Sequence, residues 1–134
     1  MAGEKILVVE DEAVVARDLE QTLIRLGYDV VGVAQFAAEA VSKAAETHPD
    51  LVLMDISLPG DKDGVQAAEV ISQRFGTPVV FLTAHTDKAT VARAWAAKPA
   101  GYIVKSCTKR LPPLSAWRLL FPRRSPRLRP LSCW

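Results

Sequence analysis

The chain has 134 residues, 49% of them apolar and 24% charged, which is the make-up of one globular domain with a real core. No apolar run approaches the roughly 18 residues of a membrane span, and the early run "ILVV" is stopped at once by Glu10, Asp11 and Glu12, so no secretory h-region forms and the expected compartment is the cytoplasm. The net charge of +2 is unevenly spread: residues 1–105 hold all 15 acids against 10 Lys and Arg, a net of −5, whereas residues 106–134 carry 7 basic residues and no acid.

In chain order, "KILVVE" (5–10) is a short apolar run ending in acids and reads as a strand buried on both faces. "EAVVARDLEQTLIRLG" (12–27) places Val15, Leu19, Leu23 and Leu26 at helical spacing, with Gly27 as the expected C-cap. "YDVVGVA" (28–34) reads as a second strand. "FAAEAVSKAAETHP" (36–49) is Ala-rich and helical, with His48 at its end and Pro49 after it. "LVLMD" (51–55) is a third strand. "DGVQAAEVISQRFG" (63–76) is a helix with Asp63 as N-cap, an apolar face of Val65, Ala68, Ile71 and Phe75, and Gly76 at its end. "PVVFLTA" (78–84), a helix over "DKATVARAWAAKP" (87–99) and "GYIVK" (101–105) complete the series. Strict alternation of strand and helix predicts a parallel sheet with right-handed crossovers and helices on both faces.

In such a sheet ligands bind beyond the carboxyl ends of the strands. The first strand delivers Glu10 and Asp11 there, the third Asp55, the fourth Thr83 and the fifth Lys105. A carboxylate at the end of "LVLM" is expensive unless it has partners. A hard divalent cation and Lys105 would offset the crowded negative charge. Mg²⁺ takes a few carboxylate oxygens plus waters. With it, Asp55 could act as a carboxylate nucleophile on a phosphoryl group, Lys105 could neutralise the transferring group, and Thr83 could donate to the phosphate.

"VVEDE", "LVLMDISLPGDKDG", "VVFLTA", "GYIVK" and the helices between them agree in order and spacing with one family. Over residues 4–105 the chain resembles a response-regulator receiver domain of two-component signalling. The resemblance implies a flavodoxin-like, doubly wound, five-stranded parallel sheet of order 2-1-3-4-5. It makes Asp55 the phosphorylation site. Asp11 would bind Mg²⁺ directly, Glu10 largely through water, and the backbone carbonyl of Ser57 would complete the protein ligands. Thr83 and Tyr102 would form the switch pair, and Ser57 and His85 fall where the family varies residues that tune phosphate lifetime. The implied partner is a sensor histidine kinase or phosphotransfer protein, and the implied chemistry is self-phosphorylation and autodephosphorylation rather than turnover of a substrate. Two rival readings are a receiver-fold interaction module that is not phosphorylated and an aspartyl-phosphate hydrolase. Against the hydrolase, the second Asp that such enzymes carry two residues after the nucleophile is here Ser57.

The domain expected from the sequence is 1–105, followed by an atypical basic, Pro-rich tail at 106–134. Where the family has a proline after its lysine, this chain has Ser106. The charged fifth helix of the family is doubtful here: "CTKRLPPLSAWRLLFPRRSPRLRPLSCW" allows a short helix at 113–121, with Leu114, Trp117 and Phe121 on one side, and Pro122 stops it. The tail reads as a nucleic-acid or membrane-surface arm, as a native replacement of the fifth helix, or as an out-of-frame end. Nucleic acid is not the expected partner. A short fifth helix would leave the inner side of the first helix and "GYIV" poorly covered, and the expected consequence is either marginal stability with early melting or self-association.

Overall fold

In a computed structural model of the chain, residues 4–60, 63–83, 92–94, 96 and 101–104 are described, Thr83 and residues 101–104 by their backbone. The elements are β1 (Lys5–Val9), α1 (Ala13–Arg25), β2 (Asp29–Ala34), α2 (Ala37–Thr47), β3 (Leu51–Asp55), α3 (Gly64–Phe75), β4 (Val79–Thr83) and β5 (Gly101–Val104). The strands form one parallel sheet in the order β2-β1-β3-β4-β5. This is the flavodoxin-like arrangement the sequence predicts. Residues 92–94 and 96 are helical, inside the fourth helix expected at 87–99. The fifth helix expected at 113–121, and the tail as a whole, lie outside the described residues.

The inner strands are apolar throughout because both of their faces are covered. Ile6 to Val9 and Val52 to Met54 are fully buried. Alternate residues go to opposite sides. Leu7, Val9, Val52 and Met54 join one core cluster with Ala40 of α2 and Ile71 of α3. Ile6, Val8, Leu51 and Leu53 join a second with Leu19 and Leu23 of α1. α2 faces the sheet through Ala37, Ala40 and Ala44, whose small side chains let it pack close. Of the expected face of α3, Val65, Ala68 and Ile71 are buried and Phe75 packs against the same core.

The helix ends show the local chemistry. α3 opens with a complete capping box: Asp63 Oδ1 accepts from the Gln66 N–H at 3.1 Å, and the Asp63 N–H donates to Gln66 Oε1 at 3.1 Å. Gly76 closes the helix in the left-handed region at φ 63. At the end of α1 the expectation shifts by one residue. The cap is Leu26, and Gly27, with φ 94, follows it. The Tyr28 N–H donates to the Leu23 carbonyl and the Gly27 N–H to that of Ile24, the paired bonds of a Schellman motif, which needs its glycine one place beyond the cap. His48 ends α2 at φ 46, left-handed without being glycine.

The inner side of α1 is buried, while the tail and the side chains of "GYIV", on which the expectation of poor cover also turns, lie outside the described residues. Ala16, Leu19 and Leu23 are buried, the two leucines together with Ile6, Val8 and Tyr28 in the second cluster.

Candidate functional site

The order of the sheet reverses at β1. From there the chain steps outward to β2 on one side, and from β3 it steps outward to β4 and β5 on the other. The crevice beyond the carboxyl ends of β1 and β3 is therefore where a ligand fits. Val9 pairs with Met54, so the next residue of each strand, Glu10 and Asp55, stand side by side at its mouth. By alternation Glu10 continues the side taken by Ile6 and Val8, and Asp55 that taken by Leu51 and Leu53. Both carboxylates therefore lie on one side of the sheet.

Glu10 is fully buried and Asp55 is 3% exposed, while Asp11 is exposed. One carboxylate oxygen from each of the three lies within 4.8 Å of the others. The turn after β1 brings Asp11 round, because the chain leaves the strand at Glu10 and enters α1 at Ala13. The Glu12 N–H donates to Glu10 Oε1 at 3.2 Å, which ties the first acid to the start of the helix. The Ser57 N–H donates to Asp55 Oδ1 at 3.1 Å, which fixes that carboxylate over the β3–α3 loop. The loop is anchored on both sides: the Ile56 N–H donates to the Leu82 carbonyl at 3.2 Å, and the Gly64 N–H to the Ile56 carbonyl at 3.0 Å.

Three carboxylates this close repel one another strongly in a partly buried setting. A cation held among them relieves that repulsion, and an all-oxygen acidic donor set suits a hard ion such as Mg²⁺. The residues present fit the ion.

Among the other residues named from sequence, Ser57 is exposed beside Asp55. The backbone places Thr83 at the carboxyl end of β4, paired with Val104, and Tyr102 in β5, paired with Phe81. Their side chains, with Lys105, His85 and Ser106, lie outside the described residues. The sequence reading did not single out Gly64 as a functional residue. A Cβ there would lie 1.9 Å from the Asp55 carbonyl oxygen and 3.0 Å from the Cα of Ile56. Its signal was a glycine at the first position of a helix, where propensity alone disfavours it.

Comparison with known proteins agrees with this fold. The response regulator receiver domain model matches residues 6–111. The chain belongs to the response-regulator receiver family. The transcriptional regulatory protein PdtaR of Mycobacterium tuberculosis (strain ATCC 25618 / H37Rv) is 41% identical over 101 residues, 75% of this chain and 49% of that protein. The phyllosphere-induced regulator PhyR of Methylorubrum extorquens is 42% identical over 89 residues, 66% of this chain and 33% of that protein. The chain thus spans half or less of the length of these curated relatives. Among solved structures, the signal receiver domain of response regulator NarL from Mycobacterium tuberculosis superposes with a TM-score of 0.80 at 26% identity, over 92% of this chain and all of that one. The receiver domain of a modulated diguanylate cyclase from Desulfovibrio desulfuricans G20 gives 0.75 at 33% identity, over 90% and 92%.

Proposed function

We propose that this receiver domain is a signalling switch that accepts a phosphoryl group on Asp55. The observation that carries the reading is the meeting of Glu10, Asp11 and Asp55 at the β1–β3 switch point, with one oxygen of each inside 4.8 Å. Asp11 would hold Mg²⁺ directly, Glu10 largely through water, with Asp55 and the Ser57 carbonyl completing the protein ligands. Bound there, the ion supplies charge neutralisation for the acids and for the transferring group.

The chain's own residues do the rest. A carboxylate oxygen of Asp55 attacks phosphorus and forms an O–P bond. The bond from phosphorus to the donor's leaving atom breaks, and that atom keeps the electron pair. The Ser57 N–H holds the attacking carboxylate in place. Lys105, arriving after β5, neutralises charge on the transferred group, and Thr83 donates a hydrogen bond to it. Thr83 and Tyr102, on neighbouring strands, carry the switch outward. Dephosphorylation is a separate step: water attacks phosphorus, the O–P bond to Asp55 breaks with its electron pair returning to the carboxylate, and inorganic phosphate leaves.

The donor is a sensor histidine kinase or phosphotransfer protein, acting in the cytoplasm. The domain is not a turnover enzyme; its output is a change of conformation. Incubating the chain with a phosphorylated histidine kinase should move label onto it in the presence of Mg²⁺. Transfer that persists in Asp55→Asn, or none to the wild type from any phosphorylated donor, would count against the reading.

A further inference from the structure

Of two ion pairs among the described residues, Lys43–Glu39 lies within α2, whereas Arg93, from the helical residues 92–94, faces Asp63 Oδ2 with its guanidinium across separate segments. Asp63 is already engaged on its other side. Its Oδ1 accepts from the Gln66 N–H, and its own N–H donates to the Gln66 side chain. The carboxylate is thus held at both oxygens, one by the first turn of α3 and one by a segment 30 residues further along the chain. The next residue is Gly64, which sits so close to the Asp55 backbone that no side chain fits between them. Its N–H also donates to the Ile56 carbonyl. An unbroken run of contacts therefore leads from Arg93 through Asp63 and Gly64 to the peptide that carries Asp55.

The Arg93 side chain is 58% exposed and that of Asp63 23%. A pair this open to water adds little to global stability. Its consequence is local. The first turn of a helix holds its place through few bonds, and Asp63 is the residue that anchors this one. Pulling on Asp63 moves Gly64, and Gly64 has no slack against Asp55.

We propose that Arg93 is a positioning residue for the Asp55 site: by holding Asp63 it fixes how closely α3 seats against the Asp55 carbonyl, and so where the carboxylate points. This rests on Asp55 being the phosphoacceptor.

The test uses the full chain, acetyl phosphate and Mg²⁺, with initial phosphorylation rates read by intact mass. Arg93→Ala should lower the rate by about tenfold, since small misplacements near a reacting group are expensive. Arg93→Lys should restore part of it, keeping the charge but not the planar fork. Asp63→Asn, which still caps the helix, should match Arg93→Ala, and the double variant should fall no further. A readout without metal or donor accompanies these: amide exchange at Gly64 should quicken in Arg93→Ala while the thermal midpoint stays within a degree or two of wild type. Wild-type rates and unchanged Gly64 exchange in Arg93→Ala would overturn the inference. Failure of the wild type to react would instead overturn the phosphoacceptor reading on which it rests.

Discussion

A methyl group placed on Gly64 would lie 1.9 Å from the carbonyl oxygen of Asp55, well inside contact distance. The glycine is what allows α3 to begin directly behind the acid. Gly64→Ala should therefore destabilise the domain by about 1–3 kcal/mol, the usual range for forced overpacking. Helix propensity alone would give the opposite sign, a gain of about 1 kcal/mol. Urea unfolding decides between the two.

The acids should not be equivalent toward metal. Asp11→Asn removes a direct ligand on the proposed assignment, whereas Glu10→Gln alters a contact made largely through water. Both should weaken Mg²⁺ binding, Asp11→Asn by about tenfold more. Titration with Mg²⁺ alone, followed by tryptophan fluorescence or calorimetry, measures this. Equal losses, or a larger one for Glu10→Gln, would reverse the two roles.

Much of this was legible before any coordinates. The runs around Ile6–Val9 and Val52–Met54 announce strands buried on both faces because nothing polar interrupts them, and Asp55 stands out because an acid ends such a run. Asp63 and Gly76 mark the ends of α3 because capping is local chemistry. Long-range consequences were not legible. That Asp63 also meets Arg93 depends on the seating of two segments 30 residues apart, and that Gly64 is sterically obligatory depends on the approach of α3 to β3. Gly27 was misplaced by one residue because the Schellman pattern sets the glycine beyond the cap. The leucines of α1 find Ile6, Val8 and Tyr28 as partners, contacts that the composition of the tail does not reveal.

His48 offers an independent check on the backbone. It holds φ 46 at the exposed end of α2, where its N–H bonds the Ala44 carbonyl. Left-handed geometry costs an L-residue roughly 1–2 kcal/mol, which glycine avoids, less the extra entropy glycine loses on folding. His48→Gly should therefore stabilise the domain by about 0.5–1 kcal/mol. A loss of stability would mean that the imidazole makes a compensating contact.

Tyr28 should set an alkaline limit. Burial, reinforced by the Glu4 carboxylate, pushes its phenol above the ordinary value of 10.0. The folded state therefore keeps a proton that the unfolded chain releases above about pH 10. With fewer protons bound in the unfolded state, stability is fully present below that pH and falls as pH rises through it, by up to about 1.4 kcal/mol per pH unit from this one group. Tyr28→Phe should flatten that part of the pH–stability curve. An unchanged slope between wild type and variant would refute the assignment.

The central claim is that Asp55 accepts a phosphoryl group with the help of the acids beside it, and intact-mass spectrometry after incubation with acetyl phosphate tests it most directly. The account predicts a gain of one phosphoryl group that requires Mg²⁺, maps to the peptide containing Asp55 and reverses on standing. It predicts that Asp55→Asn gains the group far more slowly or not at all, because an amide is not a nucleophile. A wild-type mass that does not change with Mg²⁺ and donor, or an equal rate of gain in Asp55→Asn, would contradict it.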